Sequence, residues 1–170
     1  MANTAPTTLT RDTKDFPDTP TLTAFNALMP VFRTACAADA RVDGRGVDCM
    51  TQQFSADFCR AEQLRERLIA CSFDVLEPAP ETSGDLRLQA LASALTRAFK
   101  LKDPKAQQAH LKNMHKKTLN FMAAHPAPSI RIVELQHAFL DTLEEMAVLR
   151  EFGGGGHVSH PAESCTAIPA

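Results

Sequence analysis

Five breaks marked by proline or glycine divide the middle of the chain into segments of helical length. Proline lacks a backbone N–H and disfavours helical geometry in the residue before it, whereas glycine readily adopts the positive φ of loops. Each break is therefore expected to end a helix or to bend it. The breaks lie at Pro30 and at residues 41–46, 77–80, 103–104 and 125–128, and the last segment stops at the four glycines 153–156.

The segments between these breaks carry apolar residues at intervals of three and four, which places them on one face of a helix. We predict helices over residues 22–40, 48–76, 85–101, 104–124 and 130–152. The last of these has the cleanest stripe, and its alternating spacing is typical of helices that pack nearly antiparallel. That stripe consists of Ile132, Leu135, Phe139, Thr142, Met146 and Leu149.

The predicted fold class is all-α, a bundle of four to five antiparallel helices. Strand signals are nearly absent, and short links between the last three helices favour antiparallel neighbours. Two positions leave the helix count open: Pro30 either kinks the first helix or starts a second short one, and Ser55 could begin a new helix. The inward side chains of the fourth helix are predicted to be Leu111, Met114, Phe121 and Met122.

Residues that can accept hydrogen bonds from free backbone N–H groups stand where several helices should begin. Thr82 or Ser83 is predicted to cap the third helix, Asp103 the fourth and Ser129 the fifth. Gly153 is the residue expected to end the fifth helix, because glycine takes the left-handed conformation that closes many helices.

The two ends of the chain lack helical periodicity. Residues 1–20 are rich in Thr, Pro and Asp, and residues 153–170 open with four glycines. Such segments cannot bury enough apolar surface to fold on their own. We therefore predict a disordered N-terminal tail over 1–20, a helical bundle domain over 21–152, and a flexible Gly-rich C-terminal tail over 153–170.

Composition fits a single soluble globular domain. Of the 170 residues, 44% are hydrophobic and 22% are charged, which is typical of a folded chain. The chain has no Trp and no Tyr, so Phe, Leu and Met must fill the core. A formal net charge of −2 argues against binding of polyanions by the whole surface, although a local basic patch is compatible with it.

The expected location is cytoplasmic, without membrane association. No apolar run approaches the roughly 18 residues of a membrane-spanning helix, and the acidic N-terminal region does not resemble a targeting sequence. The five cysteines are an odd number and include no Cys-x-x-Cys pair. We interpret the first four as small packed residues in a reducing compartment, with redox sensing as the alternative.

Residues 100–117 are the one segment with a marked local charge, since six lysines accompany a single acid, Asp103. Lys105, Lys112 and Lys116 fall within a narrow arc of the predicted helix, because steps of seven and eleven residues nearly complete whole turns. With Lys117, these lysines are the residues predicted to bind a partner or an anion.

Three interpretations of this basic segment remain open. The fifth predicted helix is acidic, so the lysines could form a solvated face or pair with that helix within the molecule. They could instead contact an acidic protein partner, or nucleic acid. The segment contains no Arg, Tyr or Trp, the residues that stack on bases, which weakens the nucleic-acid interpretation.

Candidate metal ligands are sparse. Glu134 and His137 have the spacing used in di-metal helical bundles, but that design needs a second such pair, which the sequence lacks. The C-terminal segment contains a second group of possible metal ligands. These residues can bind an ion only if the flexible tail becomes ordered, which costs conformational entropy. We therefore predict no catalytic residues, no metal and no cofactor. That second group comprises His157, His160, Glu163 and Cys165.

The function predicted from these features is protein–protein contact, as an adaptor, a regulator or a dedicated chaperone. Methionines within the apolar stripes could form an adaptable groove for a partner, or could simply fill the core. A nucleic-acid binder that uses residues 100–117 is the alternative, a helical enzyme is less favoured, and a homo-oligomer is left open. The methionines concerned are Met29, Met50, Met114, Met122 and Met146.

Overall fold

The computed structural model describes residues 18–44, 52–124 and 129–149. Across these ranges the chain is all-α, which confirms the predicted fold class, and no strand is found there. None of the helices in these described ranges combines the length and apolar character that crossing a membrane requires. The helices are α1 (Pro20–Gly44), α2 (Gln52–Leu76), α3 (Ser83–Lys100), α4 (Pro104–Ala124) and α5 (Ile130–Ala147).

The predicted tails fall almost entirely outside the described residues. Only 18–20 of the N-terminal segment and none of the C-terminal segment are described. Within this short stretch Thr19 is already buried and precedes Pro20, the first residue of α1. Its hydroxyl oxygen accepts a hydrogen bond from the backbone N–H of Leu22, at 3.1 Å, so Thr19 caps the helix.

Helix α1 continues through Pro30, so of the two alternatives left open at this position the structure shows one helix and not the start of a second. Phe25 and Phe32 lie on either side of the proline, and both pack against Phe139 of α5. The distances between ring centroids are 5.7 Å for Phe25 and 5.2 Å for Phe32. Because one ring anchors both halves, packing holds α1 together where a backbone hydrogen bond is missing. Ser55 likewise lies inside α2.

The main core takes buried side chains from all five helices. A second, smaller cluster takes them from α1 and α2 alone, so these two helices continue as a pair beyond the main core. Between the clusters lies Asp39, which is fully buried. The Arg65 guanidinium donates from Nε to its Oδ2, at 3.2 Å, and Nη2 lies 2.9 Å from Oδ1. Burial raises the pKa of Asp39, an effect that Arg65 opposes.

A second buried carboxylate, Asp85, joins the beginnings of α1 and α3. Its Oδ1 accepts from the hydroxyl of Thr19 at 2.6 Å, and its Oδ2 accepts from the backbone N–H groups of Glu81 and Thr82 at 3.0 and 2.8 Å. Thr82 in turn accepts from the backbone N–H of Asp85, completing a capping box. Burial alone would raise the pKa of Asp85, but these hydrogen bonds lower it below its usual value.

Helix starts follow the predicted caps, with Thr82, Asp103 and Ser129 all accepting from backbone N–H groups of the first turn. The end of α5 does not follow the prediction. The helix stops at Ala147 and not at residue 152, and the N–H of Leu149 donates to the carbonyl of Met146 in a tighter turn. Leu149 is buried although it lies past the end of α5. The apolar spacing therefore continues beyond the helix and into the tighter turn, which is why it predicts a longer helix than the structure has. Gly153 lies outside the described residues.

One prediction about a side chain is wrong, and one alternative about the methionines is decided. Phe121 was expected to face inward, but 46% of its surface is exposed and the guanidinium of Arg87 covers its ring at 5.0 Å. Met29, Met114 and Met146 are buried in the main core, so they do not form an exposed groove. Met122 is partly buried against the same core, and Met50 lies outside the described residues.

We predict that Phe139→Ala lowers the free energy of unfolding by about 3–5 kcal/mol, because it removes the ring that both halves of α1 contact. Phe121→Ala is the matched control, and its cost should be about 1 kcal/mol or less because the ring is half exposed. Urea denaturation followed by circular dichroism measures both. Equal losses for the two variants would contradict the packing described.

We also predict a pH-dependent role for Asp85. Since its folded pKa is lowered, its stabilising contribution is present above the usual pKa of an aspartate and is lost as pH falls through the folded value. Asp85→Asn should therefore cost about 1–3 kcal/mol at pH 7, and the cost should shrink below about pH 4. Urea denaturation at several pH values tests this against the exposed control Asp74→Asn. A cost that does not change with pH would refute it.

Candidate functional site

Helix α4 carries the lysines singled out from the sequence, and its first turn is fixed by Asp103. The carboxylate of this residue accepts from the backbone N–H groups of Lys105 and Ala106, at 3.2 and 3.1 Å. Pro104 occupies the first helical position, where its missing N–H costs nothing. The helix therefore begins at a defined residue, which sets the position of every later side chain.

Contacts on two sides fix the rotation of α4 about its axis. Leu111 and Met114 are buried beneath the helix. His110 Nε2 lies 3.0 Å from the carbonyl oxygen of Ala94 in α3, so the tautomer with hydrogen on Nε2 donates to it. On the other side, Gln108 Nε2 donates to the carbonyl of Ala147 at the end of α5, at 3.3 Å. The opposite face of α4 must therefore point to solvent.

Lys105, Lys112 and Lys116 lie on this outward face and all three are exposed. We call them the basic row. Lys117 is exposed too, but it lies about 100° around the helix from Lys116 because an α-helix has 3.6 residues per turn. The structure thus aligns three of the four predicted lysines and separates the fourth.

The outward face of α5 is acidic. Glu134, Asp141 and Glu145 are exposed and follow each other at steps of seven and four residues. We call them the acidic row. Glu144 is also exposed, while Arg131 pairs with Asp18.

The sequence left open whether the lysines pair with the fifth helix inside the molecule. Within 18–44, 52–124 and 129–149, no ion pair joins the basic row to any carboxylate. The two helices do touch, as the bond from Gln108 to Ala147 shows, yet their charged rows both face solvent. Each row is therefore available to charges from outside the molecule.

An apolar residue that the sequence analysis passed over extends the basic row. Leu119 is 42% exposed and stands three residues after Lys116, and so continues the same face. Its spacing of three from Lys116 is visible in the sequence, although charge alone does not single it out. The outward face of α4 thus combines three ammonium groups with one aliphatic side chain.

Polar side chains that could bind a metal ion are not brought together in the part of the chain that the structure describes. The described residues contain no group of three or more His, Cys, Asp or Glu side chains that could hold a metal ion. Glu134 and His137 are both exposed, and the C-terminal group from His157 to Cys165 lies outside the described residues. Three buried hydroxyls are used locally, because each donates to a carbonyl one turn back; they belong to Ser72, Thr96 and Thr142.

Cys36 is the most deeply buried of the described cysteines. Burial raises the pKa of its thiol from 9.0 to about 11, and the nearby carboxylates Glu145 and Asp39 add to the shift. The reactive species of a cysteine is its thiolate, so this thiol is poorly suited to act as a nucleophile. The prediction that it is a packed core residue agrees with its position.

We predict that native Cys36 reacts with iodoacetamide at pH 8 about 100-fold more slowly than in the denatured chain, in proportion to its smaller thiolate fraction. Half-buried Cys71 is the internal comparison and should be protected less. Mass spectrometry of timed alkylation measures both rates. Equal rates for Cys36 in native and denatured protein would contradict the raised pKa.

Comparison with known proteins adds no relative to these observations. No protein-family model, curated protein or solved structure matches the chain.

Proposed function

We propose that this protein acts by contacting another protein in the cytoplasm, as an adaptor, a regulator or a dedicated chaperone, and that the basic row of α4 is part of the contact surface. The observation that carries this proposal is the alignment of three exposed lysines with no carboxylate partner among the described residues. A row of like charges on one face repels itself. An acidic partner surface would relieve this repulsion.

The chemistry of the row suits recognition of a protein. Complementary charges accelerate association and set the orientation of the partner more than they add affinity. Leu119 supplies apolar surface at the end of the row. Charged side chains beside apolar surface match the polar, solvent-accessible rim of a contact surface between proteins.

Nucleic acid is the second candidate for the same lysines. The row could neutralise about three phosphates, which predicts a modest dependence of affinity on salt. However, the acidic row of α5 lies on a neighbouring helix and would repel a phosphate backbone. The exposed aromatic ring of α4, Phe121, is covered by Arg87 and is not free to stack on a base. An acidic protein is therefore the preferred partner.

We predict that replacing Lys105, Lys112 and Lys116 with Ala removes the partner protein that the wild-type chain retains from its own cell lysate. The substitution removes three charge pairs, each of which contributes up to about 1 kcal/mol. Their loss should weaken binding by roughly tenfold or more. Affinity capture followed by quantitative mass spectrometry, with and without nuclease, provides the measurement.

The control variant replaces three exposed arginines outside α4, Arg33, Arg60 and Arg97, with Ala, which changes the net charge equally. It should retain the same partner as the wild type. Identical capture by the α4 variant would refute the proposal. Loss of all capture after nuclease treatment would favour nucleic acid instead.

A further inference from the structure

We propose that the acidic surface taken by the basic row is the outward face of α5 on a second copy of this chain, which forms a symmetric dimer. This inference rests on the proposed function, because it names the partner of the same surface.

The two rows are complementary in charge and matched in length. Lys105 and Lys116 are eleven positions apart, and so are Glu134 and Glu145. Three cations and three anions therefore occupy stretches of equal length on neighbouring helices. No ion pair within the described ranges uses any of the six.

Exposed apolar side chains lie in line with both rows. Ile130 and Val148 are 59% and 68% exposed, and they stand four residues before Glu134 and seven after Asp141. These steps bring Ile130, Glu134 and Asp141 to one stripe of α5, and Val148 follows the helix directly as its C-cap residue. On α4, exposed Leu119 follows the basic row. Exposed large apolar groups of this kind mark contact surfaces when they accompany one another.

A two-fold axis parallel to the helices satisfies both rows at once. It lays α4 of one copy on α5 of the other, and the same contact repeats on the opposite side of the axis. The surface is thus self-complementary, which is what a symmetric dimer requires. The alternative that places α4 on α4 would bring lysine against lysine and is disfavoured.

The area of this face is enough for a reversible dimer. The 21 residues of α4 extend about 30 Å at 1.5 Å per residue, and two adjacent helices are about 20 Å wide. Each copy thus offers about 600 Å², or about 1,200 Å² in total, the lower end of specific interfaces. We expect a weak dimer that high salt dissociates, because exposed charges are screened.

A second copy fits better than either other occupant. Nucleic acid would use the basic row and leave the acidic row facing phosphates. An unrelated acidic protein would cover α4 but leave Ile130, Val148 and the acidic row in water. A partner that complements the basic row and the acidic row together must itself carry an acidic and a basic row. A second copy of this chain carries them.

The test is sedimentation equilibrium of the full chain and of two charge-reversed variants. The first variant is Lys105→Glu, Lys112→Glu and Lys116→Glu, and the second is Glu134→Lys, Asp141→Lys and Glu145→Lys. Each reversal places like charges across the interface, so each variant alone should dissociate with a dimer dissociation constant at least tenfold higher than the wild type. An equimolar mixture restores opposite charges at both contacts and should form a heterodimer.

The control variant Arg33→Glu, Arg60→Glu and Arg97→Glu reverses three exposed charges outside these helices and should dimerise like the wild type. Circular dichroism confirms that each variant is folded, and recovery of the heterodimer confirms it independently. A wild-type chain that stays monomeric at hundreds of micromolar, or a mixture that stays monomeric, overturns the dimer. If lysine-dependent capture of another protein persists in that case, the proposed function stands and only the second copy is refuted.

Discussion

The packing of Phe139 between Phe25 and Phe32 is the contact on which the rest of the structure depends. This contact holds α5 against α1 and stabilises α1 as one continuous helix through Pro30. Once the apolar side of α5 is buried, the 3.6-residue period of the helix places its carboxylates on the opposite side, towards solvent. The burial of Leu111 and Met114 does the same for the lysines of α4. Core packing therefore decides which charges face solvent, and so where the protein can be contacted.

Two buried carboxylates connect helices to one another. Asp85 draws together the beginnings of α1 and α3, and Asp39 meets Arg65 where the α1–α2 pair leaves the main core. Both carboxylates are largely satisfied by hydrogen bonds or by a counter-charge, as buried charges must be. Asp85 gains stability from its ionised form, whereas the pKa of Asp39 shows that its burial opposes ionisation. Together they determine how the helices meet.

Local signals predicted the local structure well. The caps at Asp103 and Ser129 and the proline at the start of α4 depend on neighbouring residues, so the sequence displays them directly. The sequence does not show which residues that are far apart along the chain come into contact in the fold. The hydrogen bond from Thr19 to Asp85 spans 66 positions, and the continuity of α1 depends on a ring in α5.

The candidate surface was predicted in part for the same reason. The periodicity placed Lys105, Lys112 and Lys116 on one arc, and the structure exposes them there. Whether the acids of α5 neutralise them depends on the rotation of two helices, which no spacing within one helix reveals. Phe121 was misplaced because its position in the stripe does not show that Arg87 covers it at the surface.

The central claim is that the basic row of one chain meets the acidic row of another. Zero-length carbodiimide cross-linking of an equal mixture of ¹⁵N-labelled and unlabelled chains tests it most directly, because this reagent joins an amine only to a carboxylate in contact with it. The account predicts mixed-isotope cross-links between the lysines of α4 and the carboxylates of α5. Cross-links confined to single-isotope pairs within one chain would contradict it.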